Sequence, residues 1–102
     1  MAKSRSHAEA HRAVLKTFDL FGHPIRVTIF QRLARAPMSA GELAKTLPIS
    51  RPAVVQHLKR LEAARLVSGV TDGRRRIYRV EPRGLEPLAA WVRRHMDGEA
   101  QT

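Results

Sequence analysis

The sequence contains no cysteine and few aromatic residues. Without cysteine the chain has no disulfide, no thiolate metal site and no thiol-based redox sensor. Three Phe, one Tyr and one Trp leave Leu, Val, Ile and Ala to supply most of the core, although the hydrophobic fraction is 43%. A small aliphatic core in a chain of 102 residues predicts one domain, which dimerisation would help to stabilise.

Long apolar segments are also missing. The chain has no run of about 18 apolar residues, and its polar start from Met1 to Arg12 lacks the apolar centre of a signal peptide. We therefore expect a cytoplasmic protein with no membrane partner. A nucleophile elbow, a Gly-rich phosphate loop and a metal-protease motif are absent as well, so the sequence favours a binding protein over an enzyme.

Acidic residues are scarce relative to basic ones. The 19 Lys and Arg outnumber nine Asp and Glu, the formal net charge is +10, and only four of the basic residues are Lys. Arginine binds phosphate oxygens in pairs, and release of counterions favours binding to a polyanion. Composition alone does not decide between a nucleic-acid-binding protein and a merely basic soluble one.

Apolar residues at helical spacing predict two helices in the first third of the chain. The first spans Glu9 to Phe21 and is ended by Gly22. The second begins at Pro24, which suits a first helical turn, and runs to about Ala36. Residues 1–8 are polar and basic without apolar periodicity, which predicts a flexible tail.

The centre of the chain predicts a helix-turn-helix. Ser39 and Glu42 form a capping-box pattern that opens a short third helix through Leu47. Ser50 caps a fourth helix that begins at Arg51. Two short helices across a tight turn, the second of them amphipathic and basic, have the helix-turn-helix layout.

A hairpin and a last helix complete the predicted fold. Asp72-Gly73 joins arms at 66–71 and 74–80, and Pro87 places the start of the last helix near Glu86. We predict a mainly α (α+β) winged helix-turn-helix with five helices and a two-stranded hairpin wing. The domain spans residues 9–97, and residues 98–102 form a second flexible tail.

The predicted DNA-binding residues lie on the fourth helix and the hairpin. With Val54, Leu58 and Leu61 facing the core, the opposite helix face carries groups that can read base edges. Three consecutive arginines beside the hairpin turn suit phosphate or minor-groove contact. The candidate residues are Ser50, Arg51, Pro52, Val55, Gln56, His57, Lys59, Arg74, Arg75 and Arg76.

Each of these residues also has a structural interpretation. Any surface helix has a polar face, and a charged hairpin edge discourages strand pairing. His57, at the boundary of the buried face, either donates to a phosphate or satisfies a backbone group.

The two terminal helices carry more large apolar residues than a monomer needs, which predicts a homodimer. The candidate interface residues are Val14, Phe18, Phe21, Leu88, Trp91 and Val92.

Four segments, read in order, carry a family resemblance. They are FGHPIRVTIFQRL, SAGELAKTL, SRPAVVQHLKRLEAARLV and TDGRRRIYRV. Together they resemble the ArsR family of winged-helix repressors over roughly residues 14–96, and most closely its metal-independent, SdpR-like branch. The resemblance implies a homodimer joined through the first and last helices, a recognition helix at Ser50–Ala64, and repression by occupying a promoter.

Two positions depart from the family pattern. Val55 stands where the family usually has Ser, which removes a hydroxyl that would contact DNA. Arg65 stands where the family usually has Gly, so we expect it to hold a left-handed turn at a cost of order 1 kcal/mol.

Many relatives sense metals, but the matching ligands are absent here. The positions of their thiolate pair hold Ser39 and Gly41, which cannot ligate a soft metal. His7 and His11 have a spacing that permits a shared zinc ion, although a solvated role in a basic tail is favoured. We predict no metal and no cofactor, and the sequence names no inducer.

We therefore predict a sequence-specific regulator of double-stranded DNA, with three alternatives. One is a non-specific architectural or RNA-binding protein, another is a metal-responsive repressor, and the third is a protein-interaction module on a winged-helix scaffold. A specific binder should prefer its operator over random duplex by at least about 10³.

Overall fold

The computed structural model describes residues 6–98, which fold into five α-helices and a three-stranded sheet. The elements are α1 (His7–Phe21), α2 (Pro24–Arg35), β1 (Met38–Ser39), α3 (Ala40–Ala44), α4 (Arg51–Ala63), β2 (Val67–Asp72), β3 (Arg75–Val80) and α5 (Glu86–Met96), with a 3-10 turn at Pro82–Leu85 before α5. Helices α3 and α4 form the predicted helix-turn-helix, and β2 and β3 form the predicted wing. None of the helices in residues 6–98 is long and apolar enough to cross a membrane.

Helix α1 begins two residues earlier than the sequence predicts, because a capping box fixes its start. The Ser6 hydroxyl accepts from the Glu9 backbone N–H at 3.1 Å, and the Glu9 carboxylate accepts from the Ser6 N–H at 3.2 Å. His7 and Ala8 therefore belong to the helix, although the sequence places them in a tail. Of the other predicted tail residues, Ser6 is the N-cap of α1 and Gly98 is a turn residue with φ of 80°. Residues 1–5 and 99–102 lie outside the described residues.

The sheet contains a strand that the sequence does not predict. Met38 lies opposite Tyr78 and Ser39 opposite Ile77, so β1 pairs antiparallel with β3 and the strand order is β1-β3-β2. Two residues are too few to show a strand period, which is why the pattern escapes sequence reasoning. Helix α3 is also shorter than predicted, ending at Ala44.

The inward face of α4 is the one that the sequence predicts. Val54, Leu58 and Leu61 are fully buried. They pack with core residues from the other elements, which are Leu20, Ile29, Leu33, Ala40, Leu43, Leu47, Leu66, Val67 and Tyr78. Burial of this stripe orients α4, so its opposite face is held toward solvent.

Arg65 has the left-handed conformation expected from the sequence, with φ of 62°. It follows Ala64, the C-cap of α4, in a Schellman arrangement. The Arg65 N–H donates to the Glu62 carbonyl at 2.9 Å, and the Leu66 N–H donates to the Leu61 carbonyl at 3.0 Å. This turn leads directly from α4 into the wing.

Replacing Arg65 with glycine is expected to raise the free energy of unfolding by about 0.5–1 kcal/mol. Removing the Cβ from a residue in the left-handed region relieves steric strain and stabilises the folded state by roughly 1–2 kcal/mol. The greater backbone entropy of glycine in the unfolded state offsets about half of this gain. Urea denaturation checks the result. Arg65→Ala is the matched control, because it removes the same side chain but keeps the Cβ, and it should bring no such gain.

Candidate nucleic-acid interface

The exposed face of α4 carries most of the predicted base-reading residues. The Ser50 hydroxyl caps the helix by accepting from the Ala53 N–H at 3.2 Å. Arg51, Pro52, Gln56 and Lys59 are exposed. The helix cap and the buried stripe together present these side chains on a rigid element.

Two predicted residues, Arg51 and Val55, belong to the edge of this face, as their positions on the helix indicate. Val55 is half-buried and packs against the core. Arg51 points along α3, with its guanidinium close to Gly41. Both line a groove between the helix-turn-helix and the wing, together with Ser39, Ala40, Gly41, Glu42, Lys45, Arg75, Arg76 and Tyr78. The structure thus brings Arg51 into the same groove as Arg75 and Arg76, which are far from it in sequence.

The three wing arginines differ in their partners. Arg75 lies 3.7 Å from the Glu42 carboxylate, whose pKa is lowered mainly by the hydrogen bond from the Ser39 backbone N–H and further by Arg75. Arg76 donates to the Glu62 carboxylate at 2.8 Å, and this hydrogen bond raises the pKa of Arg76. Arg74 is exposed at the turn and makes no ion pair within residues 6–98.

His57 is hydrogen-bonded to Arg26, a residue that is not among the predicted site residues. Its Nδ1 accepts from Arg26 Nε at 3.1 Å, and Arg26, buried in α2, also donates to the Leu20 carbonyl at 3.5 Å. Burial lowers the pKa of His57 most, and the charges of Arg26 and His23 lower it further. Because Nδ1 is an acceptor, the neutral ring carries its proton on Nε2, which remains a donor.

Sequence reasoning misses both Arg26 and Glu62 as parts of this region. Arg26, Ile29 and Leu33 form the buried stripe of α2, and their spacing of three and four residues is the signal that places Arg26 inside. Glu62 carries no comparable signal. Its importance comes from an ion pair across 14 residues of sequence.

The terminal helices α1 and α5 pack against each other and expose several apolar side chains. Phe18 and Trp91 pack edge to face, with ring centroids 5.4 Å apart. Large exposed residues on these helices are Leu15 (53%), Phe18 (48%), Val92 (38%) and Met96 (81%). Of the other predicted interface residues, Leu88 and Trp91 are half-buried, Phe21 packs on Phe30, and Val14 is already buried within the single chain.

Metal ligands are not clustered in the described part of the chain. Within residues 6–98, no three His, Asp or Glu side chains are grouped so that they could hold an ion. His7 and His11 are both exposed on α1.

The chain is similar to transcriptional regulators in sequence and in structure. The sequence profile of a helix-turn-helix domain family matches residues 21–70. The HTH-type transcriptional regulator Rv2034 of Mycobacterium tuberculosis is 54% identical over 78 residues, which cover 76% of this chain and 73% of that protein.

Two solved structures extend this similarity to the fold. An ArsR-like transcriptional regulator from Rhodococcus sp. RHA1 is 32% identical, with a TM-score of 0.67, over 89% of this chain and 92% of that one. The homodimeric winged helix-turn-helix DNA-binding domain of Mb0332 from Mycobacterium bovis shares the fold, with a TM-score of 0.71 and 21% identity over 95% of this chain and 91% of that one. The SdpR-like branch stays a prediction. By sequence and by fold, this chain belongs to the ArsR family of helix-turn-helix transcriptional regulators.

Proposed function

We propose that the protein is a homodimeric repressor that binds a pseudopalindromic operator in double-stranded DNA. The observation that carries the proposal is the common surface formed by the exposed face of α4 and the arginine-rich wing. A recognition helix with a polar outer face fits the major groove, and a flanking basic hairpin fits the adjacent backbone or minor groove. The net charge of +10 favours approach to the duplex.

The roles of the side chains follow from their placement. Gln56, at the centre of the exposed face, reads adenine through its amide, and Arg51 reads guanine or binds phosphate at the edge of the groove. Lys59 and the Nε2–H of His57 bind phosphate. Ser50 and Pro52 shape the first turn of the helix that enters the groove, and Val55 lies at the start of its second turn.

Arg74 and Arg75 supply the wing's phosphate contacts. Arg74 lies at the exposed tip of the hairpin and makes no ion pair within the described residues. Arg75 is paired with Glu42 only at 3.7 Å, with more than half of its side chain exposed. An exposed ion pair of this kind contributes about 0–1 kcal/mol, so a phosphate displaces it at little cost.

Dimerisation would place two recognition helices on one face of the DNA. In this proposal the contact surface is formed by the exposed apolar side chains of α1 and α5, which are Leu15, Phe18, Val92 and Met96. The homodimeric state of the Mb0332 domain, which shares the fold, supports it. A two-fold dimer would read two half-sites about one helical turn apart.

Selection of bound sequences from a pool of random duplexes tests the proposal. A sequence-specific dimer should enrich a two-fold symmetric site and prefer it over random duplex by at least about 10³. Equal affinity for all duplexes would instead show an architectural protein, and absence of duplex binding would overturn the proposal.

Two substitutions should weaken binding in different ways. Gln56→Ala is expected to cost about 1–3 kcal/mol on the selected site and little on random duplex, because base contacts carry the sequence information. Arg74→Ala should weaken both duplexes together and reduce the slope of log K against log salt by about 0.9 for each wing that contacts DNA. Fluorescence anisotropy titrations over a salt series measure both quantities. A wing variant with unchanged affinity and slope would leave Arg74 as a solvated hairpin residue.

A further inference from the structure

The side chain of Arg76 crosses the wing to reach the recognition helix. It starts on β3, passes over Gly69 of β2, and donates from its terminal nitrogen to the Glu62 carboxylate of α4 at 2.8 Å. Its guanidinium carbon lies 5.7 Å from the centre of the Tyr78 ring, which is buried. One side chain therefore joins both wing strands to the helix that carries Gln56.

The absence of a side chain at Gly69 makes this path possible. A Cβ placed there would lie 2.5 Å from Arg76 Nε and 2.9 Å from its guanidinium carbon. The φ of Gly69 is not in the left-handed region, so a Cβ at this position would strain no backbone and would instead displace the flexible end of Arg76. The guanidinium thus occupies space that any other residue would fill.

The wing needs such a connection, because its outer part has no core beneath it. Residues 70–76 are exposed from β2 through the turn to the start of β3, whereas Val67 and Tyr78 at the base are buried. The pairing of β3 with β1 anchors the base of the wing but ends at Ile77, so within the described residues no strand outside the hairpin pairs with residues 70–76. The contact between Arg76 and Glu62 lies above the buried base, where it can restrict the angle of the wing to α4.

We propose that Arg76 is a positioning residue, which holds the wing against the recognition helix through Glu62 and is not itself a phosphate ligand. We call the set Glu62, Gly69 and Arg76 the wing clasp. The inference rests on the proposed DNA binding and assigns to Arg76 a different role from the phosphate contact predicted by the sequence. Arg76 differs from Arg75 because it donates a hydrogen bond to its carboxylate at 2.8 Å, whereas the closest approach of Arg75 to Glu42 is 3.7 Å, beyond hydrogen-bond distance.

The two roles predict opposite effects of removing Glu62. If Arg76 binds phosphate, Glu62→Ala frees it from a competing carboxylate and tightens DNA binding. If the wing clasp sets the wing angle, Glu62→Ala, Arg76→Ala and Gly69→Ala should each weaken binding about threefold to tenfold for a dimer with two wings. Gly69→Ala is the sharpest of these variants, because it displaces the guanidinium without changing any charge.

Salt dependence separates the roles again. The duplex obtained by selection is titrated with each variant over a range of KCl concentrations. The three clasp variants should keep the wild-type slope of log K against log salt concentration. In the control Arg74→Ala this slope should fall by about 0.9 for each wing that contacts DNA. The double variant Glu62→Ala/Arg76→Ala should bind no more weakly than Arg76→Ala, since the clasp is already open. A slope loss for Arg76→Ala equal to that of Arg74→Ala, or tighter binding by Glu62→Ala, would overturn the inference.

Amide hydrogen exchange tests the clasp without DNA. Opening it should speed exchange in residues 69–76 of Glu62→Ala and Gly69→Ala, with helix α2 unchanged. Unchanged exchange in the wing would overturn the clasp even if DNA binding is established. Faster exchange in a protein that selects no duplex would keep the clasp and reject the proposed function.

Discussion

Replacing Gly84 with alanine is expected to lower the free energy of unfolding by about 3 kcal/mol, at the upper end of the cost of overpacking. A Cβ on Gly84 would overlap the carbonyl oxygen of Arg65 and lie 2.8 Å from its carbonyl carbon and 3.2 Å from Leu66 Cα. These are backbone atoms. A rotamer change cannot move them away, so the chain itself has to shift.

The backbone around Arg65 has little freedom to shift. Arg65 is held in the left-handed turn after α4, and the next N–H, that of Leu66, is bonded to the Leu61 carbonyl. The Leu66 carbonyl accepts from the Glu81 N–H at 2.9 Å, which joins the start of the wing to its end. Gly84 therefore sits where the end of α4, the base of the wing and the 3-10 turn are packed together.

Urea denaturation of Gly84→Ala beside Gly41→Ala measures this effect. At Gly41 a Cβ would make ordinary van der Waals contacts, with the flexible end of Arg51 at 3.6 Å and the Ser39 hydroxyl at 3.8 Å. Alanine also favours the helix by about 1 kcal/mol over glycine. The control should therefore be neutral or slightly stabilising. If the two variants have equal stability, the close approach at Gly84 is not a packing constraint.

Local signals in the sequence predict much of this fold. The spacing of Val54, Leu58 and Leu61 fixes the inward face of α4, and Ser39 and Ser50 cap the helices that follow them. The hairpin is predicted from Asp72-Gly73, but its turn lies one residue later than expected, at Gly73-Arg74. Asp72 pairs with Arg75 as the last residue of β2, and only Gly73 of the turn has a positive φ. Such features depend on residues within one or two turns of each other, so periodicity and capping patterns reveal them.

Contacts between distant residues are not predicted in this way. The hydrogen bond from Arg26 to His57 spans 31 residues, and the ion pair of Arg76 with Glu62 spans 14. In the sequence Arg74, Arg75 and Arg76 are three equivalent charges. Only the packing of the wing against α4, through β2, separates the arginine that has a close carboxylate partner from the one at the tip. It therefore divides a run of arginines into different proposed roles.

Substituting Val92 with glutamate is expected to convert the protein into a monomer. Operator binding should weaken by about 10²–10⁴-fold, which is the factor by which the avidity of two linked binding sites exceeds the affinity of a single site. Val92 is 38% exposed on α5, so a charge there is tolerated by the separate chain. In the proposed interface the carboxylate would lose water without gaining a partner, at a cost of several kcal/mol. Sedimentation velocity at micromolar concentration and anisotropy titration of the selected duplex measure the two effects.

Val92→Lys separates loss of the dimer from simple charge repulsion. Lysine adds positive charge, which by itself strengthens attraction to DNA, yet it should also prevent the two apolar faces from meeting. If dimerisation is the cause, both variants are monomeric and both lose operator affinity, although their charges are opposite. If only the glutamate variant loses affinity, its charge acts on the DNA directly. If both variants remain dimeric, the interface lies elsewhere on the molecule, and the exposed side chains of Leu15, Phe18 and Met96 require another explanation.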